Sequence, residues 1–304
     1  MPPGGEGFLL RVFVAKIVVC RLTDCPVRLA RSRTQPFQGC STGSNPVRDA
    51  LTLALKKRFG QHFLTDRTIL RRIVQFACIH REDTVVEIGA GGGALTVELA
   101  RAARRVIAIE IDRDLIPSLR TSLPANVEVV EGDALTVEFP RGMFHVVGNL
   151  PYNAATPLFK KLIAHRERIS DVTVMIQKEV AERLVAEPST SDYGPLSVLI
   201  QYYATVKYGF TVPPGAFKPR PKVDSAVVRL EWKAGVPEAR AFTDFVHLTF
   251  SSRRKKLVNN LLSMFGSLDR AEVLRRMDTA GVAANARPEE LSVTQFLGVY
   301  NQFW

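Results

Sequence analysis

Four consecutive residues, Asn149-Leu150-Pro151-Tyr152, bring together groups suited to one kind of chemistry. The Asn149 side-chain oxygen and the Leu150 main-chain carbonyl are two acceptors for the N–H groups of an exocyclic amine on a flat ring. Pro151 fixes its own φ and removes an N–H that would compete there. Tyr152 offers a π face on which such a ring can stack. The same residue types also make ordinary turns, so the elements around them must decide.

The apolar run Phe144 to Gly148, feeding into a proline turn, reads as a buried strand ending at a site. In open α/β sheets ligands bind outside the carboxyl ends of the strands. Upstream, Thr84-Val85-Val86-Glu87-Ile88 is a β-rich run opening into Gly89-Ala90-Gly91-Gly92-Gly93, followed by a helix over Ala94 to Ala102. Strand, glycine turn and helix in that order give a glycine pattern its meaning, because the backbone can pass close under a ligand. A second strand, Arg105 to Ile109, ends in Glu110, 21 residues beyond Gly89, where an acid can accept hydrogen bonds from ribose hydroxyls. A third, Val127 to Val130, ends in Glu131-Gly132-Asp133, where a carboxylate suits an adenine amino group better than a phosphate. The third glycine falls one place early for the dinucleotide pattern. S-adenosylmethionine, with ribose and adenine but no phosphate, satisfies both acids.

Before this region the chain is different. Residues 1 to about 50 lack periodicity, and the apolar stretch Phe8 to Val19 is interrupted by Arg11 and Lys16, well short of the ~20 apolar residues of a membrane span. Residues 1–55 read as a disordered extension. A transit peptide, and with it a mitochondrial matrix location, is the alternative to a cytoplasmic protein. The four cysteines, Cys20, Cys25, Cys40 and Cys78, form no Cys-x-x-Cys pair, so neither a disulfide framework nor a metal site is expected. The net charge of +11 has a matching imbalance: residues 1 to 58 hold ten Lys or Arg against three acids, leaving little for the rest. Global basicity therefore says little about nucleic acid, and local clusters carry that reading.

Thr65 or Asp66 can cap a helix in which Ile69, Leu70, Ile73, Val74, Phe76 and Ala77 recur at helical spacing. Beyond Tyr152, helices are expected over Thr156 to Ile163 and Lys178 to Ala186, and a strand over Val172 to Gln177. Pro195 starts another helix. Tyr208 to Val212 leads into a proline-stiffened loop, Pro213 to Lys222, carrying Phe217 and three cations. Ser225 to Leu230 alternates as a closing strand, and helical patterns alone fill Glu238 to Trp304. Within them, Ser251-Ser252-Arg253-Arg254-Lys255-Lys256 is the densest basic cluster of the later chain and a candidate RNA contact.

Taken in order, Lys57-Arg58-Phe59-Gly60-Gln61-His62-Phe63-Leu64, Glu87-Ile88-Gly89-Ala90-Gly91, Ile109-Glu110-Ile111-Asp112, Gly132-Asp133-Ala134, Asn149-Leu150-Pro151-Tyr152-Asn153 and Pro221 to Val228 closely resemble the small-subunit ribosomal RNA adenine dimethyltransferases. The likeness runs from about residue 56 to the C-terminus. It implies an α/β fold: a Rossmann-like, seven-stranded S-adenosylmethionine-dependent methyltransferase domain over 56–232, and a small all-α domain over 233–304. It implies dimethylation of N6 on two adjacent adenosines near the 3′ end of small-subunit rRNA, in a pre-assembled small ribosomal subunit. By the same resemblance the cofactor contacts are His62, Leu64, Gly89, Glu110, Asp133 and Asn149. Tyr152 and, on the opposite face, Phe217 would hold the unstacked base. A monomer with no metal is expected.

Two departures stand out. The family usually has Asn where this chain has His62, which changes the geometry of that contact or makes it titratable. Pro117 falls in the helix expected after Glu110 and should kink it or delay its start. A large-subunit rRNA adenine dimethylase would share the pocket, although Pro221 to Val228 and the helical tail lean against it. A DNA adenine methylase would want a larger recognition domain. An assembly or transcription factor on the same fold would not need the intact Asn149 to Tyr152 stretch.

Overall fold

The computed structural model describes residues 62–151, 155–237, 240–252 and 255–304. The N-terminal extension, Tyr152 and the Arg253-Arg254 pair lie outside the described residues. Asp66 caps helix α1 (Arg67–Phe76), its carboxylate accepting from the Thr68 and Ile69 amides at 2.8 and 3.2 Å. Replacing such a cap by alanine costs about 1 kcal/mol. The glycine unit forms as read: β2 (Thr84–Ile88), a turn, then α2 (Ala94–Ala102). Next come β3 (Arg105–Glu110), α3 (Ile116–Ser122) and β4 (Val127–Glu131). Pro117 delays α3 and does not kink it. It sits in the first turn, where an N–H would have no intrahelical partner.

The middle of the chain supplies β5 (Phe144–Asn149), α4 (Ala155–Ala164), β6 (Ile169–Gln177), α5 (Lys178–Val185) and α6 (Pro195–Tyr203). Strand β7 (Ala204–Val212) and strand β9 (Ser225–Trp232) complete a seven-stranded sheet ordered β4-β3-β2-β5-β6-β9-β7. The first five strands are parallel, and β9 runs antiparallel to both its neighbours. The expectation of an alternating closing strand is corrected here. β9 is inserted between β6 and β7, and Ser225 to Val228 are buried on both faces. A strand covered on both sides reads as continuous apolar sequence, and Ala226-Val227-Val228 fits that better than alternation.

One apolar cluster lies on the sheet face covered by α4 and α5, with Phe144, Phe159, Leu162 and Val228 among its members. Another, with Leu70, Ile73, Leu99 and Val227, lies on the face covered by α1 and α2. A third gathers α7 (Arg240–Thr249), α8 (Leu257–Met264), α9 (Arg270–Thr279) and α10 (Val293–Phe303) around Phe242, Phe245 and Phe296, and includes Tyr202 and Tyr203 of α6. Outside the large sheet, β1 (Phe63–Leu64) pairs antiparallel with β8 (Phe217–Lys218), Leu64 opposite Phe217. This small ribbon brings the first described residues against the proline-rich loop. Among the described residues, no helix is long and apolar enough to cross a membrane.

Candidate active site

The strand order sets four of the expected residues side by side. Asp133 follows β4, Glu110 ends β3, Gly89 follows β2 and Asn149 ends β5, and these strands are adjacent in that order. Four strands spaced by about 4.8 Å span roughly 14 Å along the carboxyl edge. A row of that length accommodates a nucleoside and a short side chain, and it lies where open α/β sheets bind ligands.

A cleft opens at this edge, and His62, Leu64, Gly89 and Asn149 are among the residues that line it. Asn149 Nδ2 donates to the His62 main-chain oxygen at 3.1 Å, and Oδ1 is the amide's acceptor. His62 in turn holds the loop beyond β8: its Nδ1 is 2.8 Å from the Pro219 carbonyl, an acceptor only, so Nδ1 carries the proton. The departure from asparagine therefore gives a side chain that ties two segments together. The Leu150 amide donates to the Met175 oxygen at 3.0 Å, and the Leu150 side chain is buried in the core. Two glycines allow the backbone to pack closely beside the cleft. Gly89 has φ +79°, and a Cβ there would stand 3.3 Å from the Asn149 carbonyl. A Cβ on Gly148 would come within 2.4 Å of the Ile88 oxygen.

Glu110 is nearly buried, and each of its oxygens accepts a main-chain amide: Oε2 from Gly91 at 2.7 Å and Oε1 from Asp112 at 2.8 Å. It thus organises the glycine turn, and neither Glu110 nor Asp133 is among the residues that line the cleft. Burial raises its pKa, and the amides of Asp112, Gly91 and Ile111 oppose that rise. Asp133 caps its own turn, with Oδ1 accepting from the Leu135 amide at 2.8 Å.

Glu87, which sequence reasoning passed over as a site residue, is the most perturbed acid here. It is 1% exposed, lines the cleft, and its pKa is raised to about 8, chiefly by burial. The Thr96 hydroxyl opposes that rise, and Glu110 adds to it. Neither Glu87 Oε2 nor Thr96 Oγ1 meets hydrogen-bond geometry with a described residue. The available signal was an acid inside an otherwise apolar strand.

Two expected stacking faces fare differently. Tyr152 lies outside the described residues. Phe217 is 1% exposed and packed in the same apolar cluster as Leu64 and Ala216, because its pairing with Leu64 turns the ring inward. In this conformation it offers no open face to a base. Pro151 is partly buried at the end of β5. Among the described residues, no group of three or more His, Cys, Asp or Glu is arranged to hold a metal ion.

Comparison with known proteins follows the same lines. Residues 52–303 match the family described as ribosomal RNA adenine dimethylase. The chain is 39% identical over 287 residues to ribosomal RNA small subunit methyltransferase A of Levilactobacillus brevis, covering 88% of this chain and 96% of that protein. It is 41% identical over 256 residues to the protein of the same name from Alcanivorax borkumensis, covering 81% and 89%. Among solved structures it resembles a dimethyladenosine transferase from Plasmodium falciparum, with TM-score 0.71 and 30% identity over 80% of this chain and 97% of that one. It also resembles the 23S rRNA methyltransferase ErmE, with TM-score 0.64 and 32% identity over 79% and 98%. With glycine turn, paired acids and Asn149 aligned on one sheet edge, the chain belongs to the ribosomal RNA adenine dimethylase family.

Proposed function

We propose that this protein uses S-adenosylmethionine to dimethylate N6 of two adjacent adenosines near the 3′ end of small-subunit rRNA. The observation that carries the reading is the row Asp133, Glu110, Gly89 and Asn149 on adjacent strand ends. The choice of the small subunit is supported by the names of the relatives at 39% and 41% identity.

The residues present fit the cofactor. Gly89, a glycine at φ +79°, lines the cleft, and the Glu87 oxygen without a hydrogen-bond partner is a buried acceptor in the cleft wall, suited to an ammonium group. Glu110 and Asp133 would take the ribose hydroxyls and the adenine amino group. His62, Leu64 and Asn149 would complete the contacts. When bound, S-adenosylmethionine supplies an electrophilic methyl group on a sulfonium.

The N6 lone pair of adenine is delocalised into the ring and is a poor nucleophile. Asn149 Oδ1 and the Leu150 carbonyl would accept its two N–H groups and favour a pyramidal nitrogen with its lone pair directed outward. No strong base is needed, because the methylated nitrogen is acidic and releases its proton to solvent. Orientation and preorganised acceptors then supply most of the rate. For the second methylation one acceptor contact must yield to an N6-methyl group. Tyr152 would stack on the base. A catalytic domain over 56–232, a helical domain over 233–304, and a cytoplasmic monomer acting on pre-assembled small subunits belong to the same proposal.

The test is methylation of purified, unmodified small and large ribosomal subunits, with products mapped by mass spectrometry. N6,N6-dimethyladenosine at two adjacent small-subunit positions is expected. Label confined to large-subunit rRNA would overturn the reading.

A further inference from the structure

The helix that follows the Asn149 to Tyr152 stretch also reaches the loop that carries Asp133. From α4, Lys161 Nζ donates to the main-chain oxygen of Ala134 at 2.8 Å and to that of Val137. The same ammonium lies 4.3 Å from the centroid of the Phe139 ring. Three contacts on one short loop hold it from one side.

The loop's own bonding explains what Lys161 adds. Asp133 Oδ1 accepts from the Leu135 amide, and the Asp133 main-chain oxygen accepts from the Thr136 and Val137 amides. The Thr136 hydroxyl joins that oxygen at 3.1 Å. The Leu135, Thr136 and Val137 amides are thus satisfied from the Asp133 end, and the carbonyls of Ala134 and Val137 receive a cation from α4. With Oδ1 engaged by Leu135, Oδ2 is the Asp133 oxygen left to recognise a ligand, and its direction is set by the turn. Burial pulls the Lys161 pKa down, and the charges of Asp133 and Glu138 oppose that fall.

We propose that Lys161 is a positioning residue for cofactor recognition: by tying the 134–137 turn to α4 it aims the Asp133 carboxylate, and so sets the preference for an adenine amino group. This rests on the reading that Asp133 faces adenine. It also makes one helix serve both halves of the site, since α4 begins just after the residues that would hold the target base.

The test uses the full chain and two ligands, S-adenosylhomocysteine and its deaminated analogue S-inosylhomocysteine, which lacks the amino donor. Affinities are measured by calorimetry for the unaltered protein, Lys161→Met, Lys161→Arg, Asp133→Ala and the Lys161→Met/Asp133→Ala pair. A site built to hydrogen-bond an amino group should favour the adenine ligand by about 10-fold or more. Lys161→Met should cut that preference to within about 3-fold, Lys161→Arg should retain most of it, and the double variant should match Asp133→Ala. Should Lys161→Met not fold, Lys161→Gln, with a donor and no charge, should give an intermediate preference. An unchanged preference in the Lys161 variants, including equal weakening toward both ligands, would mean a merely structural lysine and overturn the proposal. Full preference in Asp133→Ala would instead sink the assignment of Asp133 itself.

Discussion

The Asn149 amide nitrogen donates to the main-chain oxygen of His62, 87 residues earlier, across 3.1 Å. That bond holds the amide nitrogen, and Oδ1 is the acceptor that the proposed mechanism uses. It also links the end of β5 to the segment that His62 ties, through Nδ1, to Pro219. The side chain proposed to accept from the target amine is therefore held by a contact that no local pattern encodes.

Asn149→Ala should lower single-turnover methylation of small subunits by roughly 10²-fold or more, as for loss of one preorganised contact. Its effect on equilibrium binding of S-adenosylmethionine should be smaller. Tyr152→Ala should weaken capture of the target adenosine by about 1–3 kcal/mol, and Tyr152→Phe should keep much of the activity because stacking needs only the ring. Near-normal turnover in Asn149→Ala, or a Tyr152→Phe variant as inactive as Tyr152→Ala, would break the mechanism.

Glu87 predicts a pH dependence. Its folded pKa, about 8, lies above the ordinary 4.5, so the folded state holds a proton that the unfolded state gives up in between. Its contribution to ligand-free stability is complete below 4.5, falls as pH rises toward 8, and then levels off. Glu87→Gln should raise the ligand-free Tm at pH 8 by about 5 °C and much less at pH 5. The same variant should bind S-adenosylmethionine about 10-fold more weakly at pH 8, having lost a charged acceptor. Calorimetric melting and titration read both effects, and identical shifts at the two pH values would refute the assignment.

His145 predicts a pH dependence centred on another group. Its Nδ1 lies 3.0 Å from Asp171 Oδ2 and its Nε2 3.4 Å from Asp83 Oδ2, so both ring nitrogens face carboxylates. Burial lowers its pKa, but bonding to Asp171 and the charges of Asp171 and Asp83 outweigh burial and the opposing Arg229, for a net rise above 6.5. The resulting stability is complete below 6.5 and is lost as pH climbs through the raised value. His145→Gln should therefore destabilise by about 1–3 kcal/mol at pH 6 and by less at pH 9. Urea unfolding at the two pH values measures the difference, and an equal loss at both would exclude an imidazolium.

The basic run Arg253 to Lys256 should serve RNA docking and leave cofactor binding unchanged. Each phosphate contact removed should flatten the salt dependence of small-subunit binding by about one unit of slope. If neutralising all four charges alters neither affinity nor slope, the run is a solvated surface.

The features legible in the residues alone are those that depend on neighbours along the chain. Strand β2, the glycine turn and α2 were legible because apolar runs, glycines and helix formers act within a few residues. Glu110 and Asp133 were legible because each closes a short strand, and strands that recur with helices between them form a parallel sheet. Features that depend on which distant segment is the partner emerge only in the folded chain. β1 and β8 are two residues each, too short to carry a pattern, and their pairing buries Phe217, which had been expected to face a base. β9 was read as alternating because an inserted strand and a half-exposed one share residue types; insertion between β6 and β7 made it buried. Glu87 stood in the sequence as one acid in a strand, and its pKa near 8 comes from burial between layers. Lys161 falls within the helix expected over Thr156 to Ile163, and only the fold brings its ammonium to the Ala134 and Val137 carbonyls. Local sequence sets propensity and spacing, whereas burial, charge state and contact are set by segments far apart in the chain.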